Sequence, residues 1–251
     1  MFVIITIEDV ISIRPIDIAR QLKISTTTLR GYEERGLVPP AHRSSAGYRM
    51  YTEEHLAYFI CIREMLPAFD LTFIGKVMAK VQEGQVDAAL WMANKAQADL
   101  WSEKQTYKKT VEILLHDHLD SIPLKNMNIG EVSRETGIPV TTIRYWEKAG
   151  LLSPERNPTN TYRIYTKEHI RQILTLNAIK LSVRTHRLKH FFRTMQATYE
   201  AFDYSNREDI ARFLDQIAVQ LNQMNRQQIK GISALEQLCQ QIETRIFLET
   251  Y

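Results

Sequence analysis

Arginine and hydroxyl side chains stand at matching places in two stretches of the chain. Thr27 and Arg30, and again Thr141 and Arg144, lie three residues apart, so in a helix each pair shares one face. A guanidinium offers a planar fork of donors that fits a phosphate or the edge of a guanine, and a neighbouring hydroxyl can donate or accept. Beside Arg144 the second stretch has an aromatic ring, Tyr145, where the first has Gly31. Further on come Arg43, Tyr48 and Arg49 in the first stretch, and Arg156, Tyr162 and Arg163 in the second. The chemistry on offer is ion pairing and hydrogen bonding to a polyanion, not bond making. No Gly-rich phosphate loop and no nucleophile–base constellation is found, so neither catalysis nor a cofactor is expected.

The segment that holds these residues is written twice. Laid on itself at an offset of 114 residues, the chain matches Arg20 with Arg134, Glu33 with Glu147, Gly36-Leu37 with Gly150-Leu151, and Tyr48-Arg49 with Tyr162-Arg163. The match runs on without a gap through Tyr51/Tyr165 and His55/His169, so the repeated unit is the size of a domain. In the first copy Ile18, Leu22 and Ala19 mark one face of a short helix. A turn at Lys23-Ile24-Ser25 follows, and a second helix starts among the threonines with Leu29 and Tyr32 inward. The second copy repeats this with Val132 and Thr136, a turn at Gly137, Pro139 at the start of the next helix, and Ile143 and Trp146 inward. Thr27, Arg30 and Gly31, or Thr141, Arg144 and Tyr145, then face outward.

Each second helix is followed by HRSSAGYRMYT or RNPTNTYRIYT, whose alternation around a turn predicts a hairpin with Arg43 and Arg49, or Arg156 and Arg163, in its loop. Thr-Glu-Glu-His-Leu and Thr-Lys-Glu-His-Ile read as capping boxes that open a further helix, with Glu in the first turn.

Charge follows the repeat. Residues 127–195 hold 12 Lys/Arg against 5 Asp/Glu and residues 15–80 hold 9 against 7, whereas residues 81–120 and 196–251 are each net −3. A basic face is often only a solvated one. Placed on a helix-turn-helix with a hairpin behind it, in both copies, it points to nucleic acid.

These features together resemble the DNA-binding domain of the MerR family of bacterial transcription regulators. The resemblance rests on TTLRGYEERGL with GYRMYTEEHL and on TTIRYWEKAGL with TYRIYTKEHI, and covers residues 14–80 and 127–194. It implies a winged helix-turn-helix with the second helix in the major groove of double-stranded DNA and the wing on the backbone. Carried over by position, Thr27, Arg30, Arg43, Tyr48, Arg49, Thr141, Arg144, Tyr145, Arg156, Tyr162 and Arg163 become the expected DNA contacts. It also implies RNA polymerase at a promoter as a partner. Two departures stand out: Gly31 replaces the first aromatic of the family motif, and Thr161 replaces the wing glycine.

Two apolar stripes complete the pattern. Val86, Leu90, Ala93, Gln97, Leu100, Lys104, Tyr107, Val111, Leu114 and His118 recur at steps of three and four, as do Ile210, Leu214, Ile217, Leu221, Met224, Gln228, Gly231, Leu235, Leu238 and Ile242. The expected fold class is therefore mainly α: two winged helix-turn-helix domains at 14–82 and 123–196, each followed by a long helix at 83–122 and 197–251, after an extension at 1–13. The short stretch Leu119–Met127 favours antiparallel pairing of the two helices, with Gln97 and Lys104 near Gln228 and Gly231. A single chain would then be a covalent pseudo-dimer reading an imperfect palindrome.

Cys61 and Cys239 lie far apart in sequence and read as core residues of a reducing cytosol. The opening MFVIITIEDV lacks a basic leader, no apolar run is long enough for a bilayer, and a cytoplasmic, nucleoid-associated protein is expected. His116, His118, His186 and His190 offer no third metal ligand, and neither clustered cysteines nor an added ligand domain marks a sensor. The expected function is a sequence-specific regulator of transcription, with an architectural DNA-binding protein as the alternative.

Overall fold

The computed structural model describes residues 12–115, 127–157, 160–185 and 207–247. The first copy forms α1 (Pro15–Gln21), α2 (Thr26–Glu34), β1 (His42–Arg43), β2 (Arg49–Met50), α3 (Glu53–Met65) and α4 (Leu71–Gln82), and is followed by α5 (Val86–Leu115). The second forms α6 (Ile129–Thr136), α7 (Val140–Lys148), β3 (Glu155–Arg156), β4 (Arg163–Ile164) and α8 (Lys167–Thr185), and α9 (Arg207–Thr244) comes last. His116, His118, His186 and His190 fall outside the described residues.

Local chemistry explains most boundaries. Pro15 opens α1, where its missing N–H costs nothing. Ser25 caps α2 by accepting the Thr28 N–H at 3.0 Å. In the second copy Asn128 and Glu131 close a reciprocal capping box on α6, and Gly137 ends that helix at φ 72°. The box expected at Thr52 also forms, but its third helical residue is His55: the ring Nδ1 accepts the Thr52 N–H at 3.2 Å while Thr52 Oγ1 accepts the His55 N–H. His169 does the same for Thr166.

The two copies part at their last helices. Pro67 and the cap of Asp70 separate α3 from α4. The corresponding positions of the second copy are Leu181 and Arg184, so nothing stops α8, which runs on to Thr185. The paired helix expected there falls on residues 186–206, outside the described residues.

The chain divides into two compact units, residues 1–98 with 225–251 and residues 99–224. In the first, Ile18, Leu29, Phe59, Ile74 and Val77 pack with Ala89 and Ala93 of α5 and with Leu235 and Leu238 of α9. Gly231 of α9 sits so close to α3 that an added Cβ would lie 3.2 Å from Met65 Cα. In the second unit Val132, Ile143, Trp146 and Ile173 pack with Ile113 of α5, and Leu100 and Tyr107 of α5 join Ala178, Leu181, Leu214, Ile217 and Leu221.

Within that second unit α5 and α9 run antiparallel. Lys104 Nζ donates to Asn222 at 3.3 Å, and Tyr107 OH to the Leu214 carbonyl at 2.8 Å. In the first unit Gln97 donates to Asn225. The register therefore differs from the expected one, which set Gln97 and Lys104 against Gln228 and Gly231. α9 also meets α3, where Gly231 lies close to Met65 and Lys230 pairs with Glu64 at 2.8 Å. Apolar spacing identifies the buried stripe but not how far one helix slides along the other. Among the described residues no helix is long and apolar enough to cross a membrane.

Candidate nucleic-acid interface

In the first unit α2 buries Leu29 and Tyr32 and leaves Thr27 and Arg30 exposed. In the second, α7 buries Ile143 and Trp146 and exposes Thr141, Arg144 and Tyr145. Both helices thus present the expected outward face. Gly31 is half-buried, and the space an aromatic would fill is taken by Arg35, whose guanidinium donates to the Gly31 carbonyl at 3.4 Å. A Cβ on Gly31 would lie 3.3 Å from that same nitrogen. Arg35, missed by the sequence reading, gives the first unit a cation where the second has Ala149.

The hairpins form, and they are short. Arg43 lies opposite Arg49 in one, and Arg156 opposite Arg163 in the other, so the arginines stand in the strands instead of the loops. Like charges facing each other across a ladder repel. Each pair is relieved in the same way. The outer arginine turns to the hairpin tip, Arg43 donating to the Gly47 carbonyl at 3.0 Å and Arg156 to the Thr161 carbonyl at 3.3 Å. The inner arginine turns to the second helix, Arg49 Nε meeting Glu33 Oε2 at 2.8 Å and Arg163 Nε meeting Glu147 Oε2 at 2.9 Å. Tyr48 and Tyr162 remain strongly exposed at 73% and 74%, which sets them apart from the aromatic residues of the cores.

Glu33 and Glu147 are therefore part of the site, although neither stood among the expected contacts. Each carboxylate also accepts a buried tyrosine, Tyr51 OH at 3.3 Å in one unit and Tyr165 OH in the other. Burial and the adjacent Glu33 push the Tyr51 phenol up to about 12, and burial and Glu147 raise Tyr165 as well, so both stay protonated donors. The same tyrosines pair by their backbones with the residue two before the first helix of each unit, Tyr51 with Ile13 and Tyr165 with Met127. The signal for all four was in the repeat itself, which aligns Glu33 with Glu147 and Tyr51 with Tyr165.

A groove of about 610 Å³ opens between the start of α6 and the second wing, lined in part by Asn128, Glu131, Asn160, Tyr162 and Arg163. Asn128 and Glu131 already occupy each other's backbone N–H groups there, so the helix end is not a ready-made anion site. Cys61 and Cys239 are free and buried, and burial raises both thiols, Cys239 to about 11, which keeps them protonated and poorly nucleophilic. Among the described residues no group of three or more His, Cys, Asp or Glu is placed to hold a metal ion.

A family model described as MerR HTH family regulatory protein matches residues 14–75 and, a second time, residues 127–180. Both winged domains belong to the MerR family. The chain is also similar to curated proteins over part of its length. The HTH-type transcriptional regulator CueR of Salmonella typhi is 38% identical over 50 residues, 20% of this chain and 36% of that protein. The HTH-type transcriptional regulator HmrR of Rhizobium leguminosarum bv. viciae is 47% identical over 47 residues, 19% of this chain and 36% of that protein. A longer alignment, 24% identical over 111 residues, covers 44% of this chain and 82% of the HTH-type transcriptional regulator ZntR homolog of Haemophilus influenzae. The chain thus spans about a third of the length of the CueR and HmrR regulators. No solved structure gave a significant match.

Proposed function

We propose that the chain is a sequence-specific regulator of transcription that binds double-stranded DNA through both MerR domains, as a covalent pseudo-dimer on an imperfect palindrome. The observation that carries this is the sharing of the long helices. α5, which follows the first domain, completes the core of the second through Ile113, and α9, which follows the second, completes the core of the first through Leu235 and Leu238. Two separate chains would have to meet to do this; here a covalent link supplies the partner at high effective concentration. α2 and α7 are read as the groove-facing helices, with Thr27, Arg30, Thr141, Arg144 and Tyr145 reaching bases or phosphates. Arg43, Tyr48, Arg156 and Tyr162 are read as wing contacts to the backbone. The partners are then duplex DNA and, at a promoter, RNA polymerase, in the cytoplasm on the nucleoid. No enzymatic step is part of this reading.

Selection of bound sites from a random duplex pool tests it, combined with light scattering on the complex. The expected result is two related but unequal half-sites held by one chain. Identical half-sites occupied equally in both orientations, or two chains on every site, would overturn the pseudo-dimer. Cysteines placed at Ala93 and Leu235, in a background without Cys61 and Cys239, should crosslink within one chain and not between chains. A genomic map of many dispersed sites away from promoters would remove the regulatory part.

A further inference from the structure

Resting on that DNA-binding reading, we propose that Glu33 and Glu147 are positioning residues for recognition: each carboxylate braces the wing against the groove-facing helix. Arg49 and Arg163 serve the brace and are not the wing's phosphate clamps. The partners are the same in both units, although Glu33 uses one oxygen for both bonds and Glu147 uses its two oxygens separately. One carboxylate on the helix takes the Nε of the inner wing arginine, at 2.8 Å or 2.9 Å, and the hydroxyl of the tyrosine at the wing's root. In the first unit Glu33 Oε1 also accepts the Ala41 N–H, on the segment that leads into the wing, at 3.4 Å. The carboxylates are largely enclosed, with side chains only 15% and 9% exposed, while Arg49 is 22% exposed and Arg163 44%. A two-residue ladder is too short to hold a hairpin at a fixed angle alone. A charged bond at its root, joined by a tyrosine whose backbone pairs with the segment leading into the first helix, supplies what the ladder lacks.

The ion pair has a second consequence. A carboxylate on a helix that enters a groove faces a polyanion, and without its arginine it repels the duplex. Removing the arginine therefore does more than remove one cation, and neutralising the glutamate should undo part of the damage. A direct phosphate clamp makes the opposite prediction.

Three variants decide between them: Arg163→Met, Glu147→Gln, and both together, each read by affinity for a selected duplex across a salt series. Hydrogen exchange of the wing amides is read on the free protein. A brace predicts that Arg163→Met weakens binding about tenfold, and that adding Glu147→Gln restores part of it. It also predicts an unchanged salt slope and faster wing exchange in Glu147→Gln alone. A double variant no tighter than Arg163→Met, with the slope lower by about one unit, makes Arg163 a phosphate contact and overturns the brace. Unchanged wing exchange overturns it too. Wild-type protein that binds no duplex sinks the DNA reading instead, and hydrogen exchange then still decides whether the brace exists.

Discussion

Lys23 ends α1 at φ 53°, in the left-handed region, while the second copy has Gly137 at the same turn at φ 72°. A residue with a Cβ pays about 1–2 kcal/mol to stay there. Glycine relieves that strain but gives the unfolded chain more freedom, which takes back about 0.5–1 kcal/mol. Lys23→Gly should therefore stabilise the first unit by about 0.5–1 kcal/mol net, raising its melting temperature by about 2–4 °C. The reverse change sets the control. At Gly137 an added Cβ would meet Thr106 Oγ1 at 3.7 Å, an ordinary contact, so Gly137→Ala should lose stability through its backbone and not through a clash. Urea unfolding read by circular dichroism, backed by hydrogen exchange of the amides of α1 and α2, gives both signs. A strained lysine is kept at a turn when its side chain is used. It stands just ahead of α2, and on the proposed function, which puts α2 in the groove, Lys23→Gly should also weaken DNA binding and lower the salt slope by about 0.9. A midpoint that falls or stays put in Lys23→Gly refutes the strain argument; a stabilised variant with an unchanged slope refutes the use of the charge.

Gly231→Ala should destabilise the first unit by about 1 kcal/mol, the crowding against α3 outweighing the better helix propensity of alanine; an unchanged urea midpoint would mean that the helices part freely. His55 supplies its unprotonated Nδ1 to the cap of α3, and burial lowers its pKa despite the nearby Glu33. With the folded pKa below the unfolded value of about 6.5, stability is full above that pH and declines as pH falls through the interval beneath it. His55→Gln keeps a residue able to close the box but removes the titration, so its stability curve should be flatter below about pH 6.5. If wild type and variant lose stability in parallel there, another group is responsible. Arg144→Ala should cost more DNA affinity than Arg30→Ala, because the second copy is the more basic and Arg35 remains as a cation beside Gly31; equal losses would count against the charge division.

The helices that carry the site were legible because burial leaves a period. Every described residue of the two long stripes is buried or half-buried, and Leu29, Tyr32, Ile143 and Trp146 all turn inward as their spacing predicts. Contacts between elements far apart in sequence were not legible. Glu33 reads as one of several surface acids until Arg49 is brought to it across 16 residues. Gly231 stood in the second stripe as a residue facing α5, yet it lies against Met65 and Phe69, and a period does not tell which partner a buried position meets. Arginines at Arg49 and Arg163 look like loop cations because a hairpin pattern does not tell strand from turn when each strand has two residues. Comparing the copies was the remedy available: a glutamate and a tyrosine retained in both, on opposite sides of a hairpin, are candidates for a bond.

Fusing two such domains changes what substitution can do. In a homodimer each change in the reading helix appears in both half-sites, so the two faces cannot be tuned separately. Here the outward faces of the two units differ. The first unit has Gly31 covered by Arg35, and Lys23 at its turn; the second has Tyr145 exposed, Gly137 at its turn, and Thr161 at φ 59° where the first wing has Gly47 at φ 82°. The strained residues are exchanged between copies: each unit holds a glycine where the other pays for a side chain. The brace, by contrast, is the same in both, with one carboxylate, one arginine and one tyrosine. On the proposed function this is the expected division, because the groups that set the spacing of helix and wing must fit one duplex geometry. The groups that touch the bases are free to read two different half-sites.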